Sequence, residues 1–164
     1  MVEYKRGNLL TSGCDIICHQ VNCQGVMGSG IAKTIKETFP KVYRVFKNSY
    51  RNGDAKLGNI DIVIVTNDTE AKQCEFAPIS VVVNFYSQYN YLPRGVNHTD
   101  YGAFKTCIKK LKTYIQTILP MPIRIGFPDH IGCGLAGGNW NIIKQILEDE
   151  FSSSEYKVEI WKLA

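Results

Sequence analysis

Hydrophobic and polar positions repeat with two different periods along this chain of 164 residues. Short apolar runs rich in β-branched residues, with polar turns between them, predict strands. The predicted strands are residues 2–5, 16–21, 60–65, 79–86, 123–127 and 158–161. The run at 79–86 is almost continuously apolar, which is typical of a strand buried on both faces in the middle of a sheet.

Between these strands, apolar residues recur at helical spacing. The clearest helical stripe runs from Phe104 to Ile118, with Thr99 as the expected N-cap and Asp100 in the first turn. Two more helical patterns cover residues 29–47, interrupted by Pro40, and residues 140–151. Strands that alternate with helices predict an α/β fold, in which helices cover both faces of a mixed sheet. No repeat or linker is visible, so we expect a single domain over residues 1–164.

Composition places the chain among ordinary globular proteins, with 45% apolar and 21% charged residues. No apolar run approaches the roughly 20 residues that a membrane-spanning helix needs, and the first residues lack the apolar segment of a secretory signal. We therefore expect a soluble, cytoplasmic monomer without a membrane partner. The net charge is +4, and its densest basic cluster comprises Lys105, Lys109, Lys110 and Lys112. That cluster is either a solvated helix face or a nucleic-acid-binding patch.

Six cysteines and three histidines raise the question of metal binding. Their spacing matches no Cys-x-x-Cys zinc pattern, so we expect neither a metal nor another cofactor. Reduced thiols are the expectation for a chain without a secretory signal. Cys23 and Cys133 lie in glycine-rich loops, where each is either a small packing residue or a catalytic thiol.

Two glycine-rich loops each connect a predicted strand to a helix. The first, residues 19–32, contains Gly25, Gly28 and Gly30, and glycine allows the backbone to approach a ligand closely or to take a positive φ. The N–H groups at the start of the following helix favour a phosphate oxygen. The second loop covers residues 132–138. Because ligands of such folds bind at the carboxyl ends of strands, the pair predicts a site for a phosphate-bearing ligand.

The glycine spacing also argues against two common nucleotide-binding classes. Residues 25–30 reverse the spacing of the dinucleotide fingerprint G-x-G-x-x-G. Neither loop contains the Gly-Lys-Ser/Thr of a P-loop. A Rossmann dehydrogenase and a P-loop NTPase are therefore both disfavoured.

Over nearly its whole length, the sequence resembles the macrodomain family. The strongest matches are residues 19–22 (His-Gln-Val-Asn), 27–32 (Met-Gly-Ser-Gly-Ile-Ala) and 131–140 (Ile-Gly-Cys-Gly-Leu-Ala-Gly-Gly-Asn-Trp). The resemblance implies a three-layer α/β/α fold and a site for ADP-ribose or one of its derivatives. Within the family, the sequence is most similar to the branch that contains ADP-ribose-1″-phosphate phosphatases and terminal ADP-ribose protein glycohydrolases. An ADP-ribosylated protein or nucleic acid is a further partner that this branch implies.

The resemblance also implies roles for individual residues. Asn8 stands where many macrodomains have an Asp that contacts adenine, Leu9 would offer backbone beside the base, and Asn22 would contact the distal ribose. The residues of the two phosphate-binding loops would be Gly28, Ser29, Gly30 and Ile31 in the first, and Gly132, Cys133, Gly134, Leu135 and Ala136 in the second.

One departure from the branch bears on mechanism. Glycohydrolases that act through a covalent lysine pair it with an acidic residue, at the position that Ala136 occupies here. The strand at 79–86 contains no lysine either, so a lysine adduct is not expected. The phosphatase-type members have a histidine at the position of His19, and that match is kept.

His19 and Asp129 are the candidate catalytic residues. An unperturbed histidine titrates near pH 6.5, so His19 can position or deprotonate a water or attack phosphorus, unless it only fixes the loop. Asp129 would orient His19 or a water, although Pro-Asp is equally a turn signal. His130 is interpreted as a loop-supporting residue. Asn84 and Tyr86, at the end of their strand, are candidate ligand contacts.

The function expected first is hydrolysis of an ADP-ribose derivative, with ADP-ribose-1″-phosphate as the first substrate and an ADP-ribosyl linkage as the second. Loss of the lysine and its acidic partner favours the alternative, a module that binds ADP-ribose without turnover. The third option is a nucleic-acid-binding protein, whose affinity would depend steeply on salt.

Overall fold

A computed structural model describes residues 1–73, 78–118, 123–153 and 155–164 of the chain, and a six-stranded sheet organises them. The strands are β1 (Val2–Arg6), β2 (Ile16–Asn22), β3 (Ile60–Ile64), β4 (Val81–Gln88), β5 (Arg124–Pro128) and β6 (Lys157–Lys162). Their spatial order is β1-β6-β5-β2-β4-β3. Every neighbouring pair is parallel except β3 and β4, which run antiparallel. The mixed sheet that the alternation of strands and helices predicts is confirmed.

Helices cover both faces of the sheet. They are α1 (Gly30–Thr38), α2 (Pro40–Arg51), α3 (Tyr101–Gln116) and α4 (Trp140–Glu150). The largest apolar cluster lies between the sheet and helices α3 and α4. Two smaller clusters fill the opposite side, where Ile35 of α1 and Val42 and Phe46 of α2 pack. This arrangement confirms the expected three-layer α/β/α fold.

Side chains alternate between these two layers along β2 and β4. Cys18 and Phe85 face α3 and α4, whereas Ile17 and Val82 face α1 and α2. The register pairs His19 with Asn84, and Asn84 with Asp61 of β3. Three polar residues, one from each strand, therefore lie side by side within the sheet.

Several element boundaries differ from the pattern-based expectation. Thr99 is not the N-cap of α3, because Asp100 holds that position and its carboxylate accepts from the Ala103 N–H at 2.8 Å. The predicted break at Pro40 is confirmed, since α1 ends at Thr38 and Pro40 begins α2. Strand β4 begins two residues later than predicted and extends to Gln88.

Of the basic cluster on α3, Lys105 and Lys109 are exposed, whereas Lys112 forms an ion pair with Glu150 at 3.1 Å. The described cysteines are free thiols, and Cys74 lies outside the described residues. Within the described ranges, no group of three potential metal-ligating side chains is present. Nor is any helix there long and apolar enough to cross a bilayer.

Candidate functional site

A cavity of about 460 Å³ opens at the carboxyl ends of the adjacent strands β5, β2 and β4. This edge is where open α/β sheets bind their ligands. Both glycine-rich loops line the cavity, the first after β2 and the second after β5. The volume falls in the range of about 300–1,000 Å³ that small-molecule sites occupy.

The first wall of the cavity consists of the loop after β2 and the N-terminus of α1. The Asn22 carboxamide is used within this loop: its Nδ2 donates to the Val26 carbonyl at 2.7 Å, and its Oδ1 accepts from the Gln24 N–H at 3.0 Å. Asn22 thus lines the cavity and also fixes the loop that surrounds it. Ser29 is the N-cap of α1 but makes no side-chain capping bond, so its hydroxyl is not committed to the helix.

Glycines keep this wall open. A side chain at Gly28 would meet only Val26, at 3.9 Å, and at Gly30 it would meet nothing within 4 Å. Gly30 also has a φ of 60°, in the left-handed region that favours glycine. The start of α1 therefore lines the cavity at two glycines, and its first N–H groups have no partner within the helix, as an anion site requires.

The second wall is the loop after β5, in which the glycines have two different tasks. Gly132 and Gly138 permit close packing, because an added Cβ would lie 2.8 Å from the Gln20 carboxamide and 2.5 Å from the Gly132 carbonyl, respectively. Gly134 borders open space, with no atom within 4 Å of an added Cβ. In the described part of the chain, the N–H groups of Gly134, Leu135 and Ala136 make no backbone hydrogen bond, which leaves them available to a ligand.

The third side comes from the end of β4 and the segment that follows it, where Gln88, Tyr91 and Arg94 line the cavity. The His98 N–H donates to the Ala136 carbonyl at 2.7 Å, which ties this segment to the second glycine-rich loop. Tyr91 is one of several tyrosines in this part of the sequence, and it contributes an aromatic ring to the cavity wall. Arg94 and Gln88 were missed, although an arginine among aromatic residues was a visible signal for Arg94.

His19, Asn84 and Tyr86 do not line the cavity. They lie in the layer between the sheet and α2, where each is fully buried. Asp61 organises the group: its carboxylate accepts from Tyr86 Oη at 2.6 Å and from Asn84 Nδ2 at 3.0 Å. Ser49 of α2 donates to the same carboxylate at 2.7 Å. The three sequence candidates therefore belong to a polar network inside the protein.

The network also determines the protonation of His19. Since Asn84 donates to Asp61 through Nδ2, its Oδ1 must accept, and His19 Nε2 carries the proton shared at 2.6 Å. His19 Nδ1 is buried without a hydrogen-bond partner among the described residues. Burial lowers the pKa of His19 to about 4, although the Asn84 hydrogen bond partly opposes the shift. His19 is thus a neutral imidazole near pH 7.

Asp129 does line the cavity, and its partner is His130 rather than His19. Asp129 Oδ2 lies 2.7 Å from His130 Nδ1, at the start of the second glycine-rich loop. His130 also lines the cavity and stacks on Trp140 with ring centroids 4.8 Å apart. His130 was expected only to support the loop, so its place in the cavity wall is new.

Three other predicted contacts lie outside the cavity lining. The Asn8 side chain accepts from the Leu10 N–H at 2.9 Å and caps a short 3₁₀ helix (Leu9–Thr11), in which Leu9 is buried. Cys133 is half-buried, and burial raises its thiol pKa to about 11. Burial likewise raises the pKa of Cys23 to about 11. Neither thiol is ionised near neutral pH, which argues against a catalytic cysteine.

The structure brings together ten of the residues that the sequence singled out. They are Asn22, Gly28, Ser29, Gly30, Ile31, Asp129, Gly132, Gly134, Leu135 and Ala136.

Solved structures with the same architecture identify the fold. The macrodomain of Mycobacterium tuberculosis DarG superposes with a TM-score of 0.80 at 21% identity, covering 98% of this chain and 97% of that chain. The chain has the macrodomain fold. Thermosipho africanus DarTG in complex with ADP-ribose also contains this fold, with a TM-score of 0.78 at 22% identity over 95% of this macrodomain and 40% of that chain.

Sequence relatives of this macrodomain include phage, bacterial and fungal proteins. An uncharacterized 17.5 kDa protein of Enterobacteria phage T4 is 29% identical over 99% of this chain and 97% of its own length. A DNA ADP-ribosyl glycohydrolase of Thermus aquaticus is 26% identical over 98% of this chain, which spans only 40% of that protein. An ADP-ribose 1″-phosphate phosphatase of Ajellomyces capsulatus is 50% identical over 32 residues, or 20% of this chain. No protein-family model matches the sequence.

Proposed function

We propose that this macrodomain binds the ADP-ribosyl group in the cavity between its two glycine-rich loops and hydrolyses the bond at C1″ of the distal ribose. The observation that carries the proposal is two sets of backbone N–H groups in loops that line the same cavity, one at the start of α1 and one at residues 134–136. Two sets of donors in one cavity suit a diphosphate, whose oxygens are distributed over two phosphorus atoms.

The rest of the lining suits the remainder of such a ligand. Gln20 and Gln88 offer amide groups for sugar hydroxyls, and Tyr91 offers an aromatic face. Arg94 adds a cation to the site. This local cation can pair with the negative diphosphate, so binding does not require a strongly basic protein. ADP-ribose bound to the structural neighbour from Thermosipho africanus supports the same ligand for this chain.

Hydrolysis at C1″ is supported by relatives that match along more than nine tenths of the chain and carry the name DNA ADP-ribosyl glycohydrolase. Among the described residues no lysine lines the cavity, and Ala136 stands where the acidic partner of such a lysine would be. We therefore propose direct attack by water rather than a covalent lysine intermediate. Asp129 is the carboxylate that lines the cavity among the described residues, and we therefore propose that it takes part in the activation of that water.

A second candidate is removal of phosphate from ADP-ribose-1″-phosphate. It is favoured by the 32-residue match to a phosphatase of that specificity. The proposed catalyst of that reaction, His19, is fully buried and outside the cavity lining, which places the phosphatase second.

Calorimetry and product analysis together test the proposal. We expect ADP-ribose to bind more tightly than ADP and ADP more tightly than AMP, because the distal ribose and the second phosphate each add contacts. Chromatography should then show ADP-ribose released from ADP-ribosylated DNA or protein. Release of inorganic phosphate from ADP-ribose-1″-phosphate, without cleavage of an ADP-ribosyl linkage, would favour the second candidate. Equal affinity for AMP and ADP-ribose would contradict the placement of the diphosphate.

A further inference from the structure

Asp129 and His130 form a side-chain pair at the wall of the cavity. The Asp129 carboxylate is 18% exposed and the His130 imidazole 54% exposed, so the acid is the more enclosed partner and the ring is open to solvent. The two groups are 2.7 Å apart, and both line the cavity. An enclosed carboxylate behind an accessible imidazole is the arrangement in which an acid orients a histidine base.

The position of the His130 ring is fixed by three independent features. Asp129 holds Nδ1, and the indole of Trp140 stacks against the ring at an interplanar angle of 18°. The His130 backbone has a φ of 59°, the one non-glycine residue with a positive φ among those the structure describes. Such a conformation is disfavoured for residues with a Cβ, and it commonly occurs at functional sites.

The hydrogen bond also determines which nitrogen of a neutral ring carries the proton. An ionised carboxylate can only accept, so Nδ1 must donate to Asp129. The lone pair of the neutral ring then lies on Nε2, and no hydrogen bond occupies Nε2 in the described ranges. His130 consequently offers an unoccupied proton acceptor at the wall of the cavity.

We propose that His130 is the general base of this cavity and that Asp129 is its positioning residue. The inference rests on the proposed hydrolysis at C1″ and names the group that activates the water. His130 Nε2 removes a proton from water while the water oxygen forms a bond to C1″. The bond between C1″ and the leaving atom breaks with its electron pair on that atom, which then takes up the proton from the imidazolium. The products are ADP-ribose and the protonated acceptor.

Chemical rescue is the sharpest test, because the variant can remove the ring without disturbing the backbone. Glycine adopts a φ near 59° readily, so His130→Gly keeps the loop and empties the space beside Asp129 and Trp140. We expect kcat to fall at least about 100-fold, the lower end of the effect of a general base, with KM and the Kd for ADP-ribose changed less than about threefold. Added imidazole should restore part of kcat in His130→Gly and leave the wild type unchanged.

Two further variants separate the base from its orienting acid. Asparagine also tolerates a positive φ but offers no comparable base, so His130→Asn should lose kcat to a similar extent. Because its side chain fills the space, added imidazole should not restore kcat in this variant. Asp129→Asn should lower kcat by about tenfold or more at unchanged KM, since the ring loses its charged partner. Asp149→Asn is the matched control, because Asp149 is an exposed acid on α4 that bonds to Gln145.

The outcomes distinguish this inference from the proposed function. The substrate is the ADP-ribosylated DNA or protein that the wild type hydrolyses. Unchanged kcat in His130→Asn, or a loss in His130→Gly that imidazole does not reverse, would overturn the assignment of the base while ADP-ribose binding stands. A wild type that binds ADP-ribose but hydrolyses neither substrate overturns it as well. A wild type that does not bind ADP-ribose contradicts the proposed function itself.

Discussion

The surroundings of His19 decide its charge. The ring lies between two apolar clusters, and among the described residues its one polar contact is the amide oxygen of Asn84, so a proton would add a charge with little compensation. Burial makes that charge costly, and the pKa falls to about 4. A residue that matches a catalytic histidine by its position in the sequence is therefore, in this fold, a neutral part of the sheet.

The lowered pKa of His19 has a consequence for stability. The unfolded chain binds a proton at His19 near pH 6.5 and the folded chain only near pH 4, so the free energy of unfolding falls as pH drops through that window. The full effect below pH 4 is about 3 kcal/mol. Urea denaturation at several pH values should show that His19→Gln lacks this share of the pH dependence. An identical pH dependence in wild type and variant would contradict a buried neutral His19.

Two glycines of the second loop make opposite predictions. Gly134→Val adds a side chain to open space, so we expect ADP-ribose affinity to fall at least about tenfold with little change in Tm. In Gly138→Val the added Cβ meets the Gly132 carbonyl at 2.5 Å, so the fold itself should lose about 1–3 kcal/mol. Calorimetry and thermal denaturation of both variants provide the comparison. Unchanged affinity in folded Gly134→Val would count against the loop as a ligand wall.

At the scale of elements, β5 and β6 are joined by an ion pair as well as by their backbones. Glu159 of β6 is fully buried, and Arg124 of β5 donates to it through Nε and Nη2, each at 2.7 Å. Burial alone would raise the pKa of Glu159, but the hydrogen bonds from Arg124 and Trp161 lower it to about 2. Glu159 therefore stays ionised inside the protein because its partners are in place.

Removal of Arg124 should reveal how much this pair matters. Arg124→Ala leaves the buried carboxylate with Trp161 and the more distant Lys5 as charge-stabilising partners, and we expect a loss of about 3 kcal/mol in the free energy of unfolding. Arg44→Ala is the matched control, because Arg44 and Glu70 are both more than half exposed and such a pair contributes about 0–1 kcal/mol. Similar losses of unfolding free energy in the two variants would contradict a larger contribution from the buried pair.

At the scale of the whole molecule, the cavity joins strands that are far apart in sequence. Its walls follow β2, β4 and β5, so a ligand that bridges them can stabilise only the folded chain. Binding of this kind raises the free energy of unfolding by about 2.7 kcal/mol at a ligand concentration of 100 times Kd.

Thermal denaturation with ADP-ribose measures this linkage. For a domain of this size, the stabilisation corresponds to a rise of about 5–10 °C in Tm. AMP at the same concentration should give a smaller rise, because it contacts only part of the cavity. An equal rise with Gly134→Val and wild type would show that the ligand binds elsewhere.

The sequence by itself determined the architecture of this protein and the position of the two glycine-rich loops that line its cavity. Hydrophobic period distinguishes strands from helices, and glycine marks where the backbone must be uncovered, so both are local properties that neighbouring residues settle. The six strands and the helix break at Pro40 were predictable for that reason, whereas most of the ten predicted residues that line the cavity were named through the resemblance to macrodomains.

Only the tertiary structure decided which polar side chains meet. Register places His19, Asn84 and Asp61 next to one another inside the protein, and none of the three lines the cavity. Arg94 reaches the cavity through a segment tied to Ala136, a contact between distant parts of the chain. Burial and charge partners depend on such long-range contacts, so the roles of His19 and His130 could not be read from residue type and position alone.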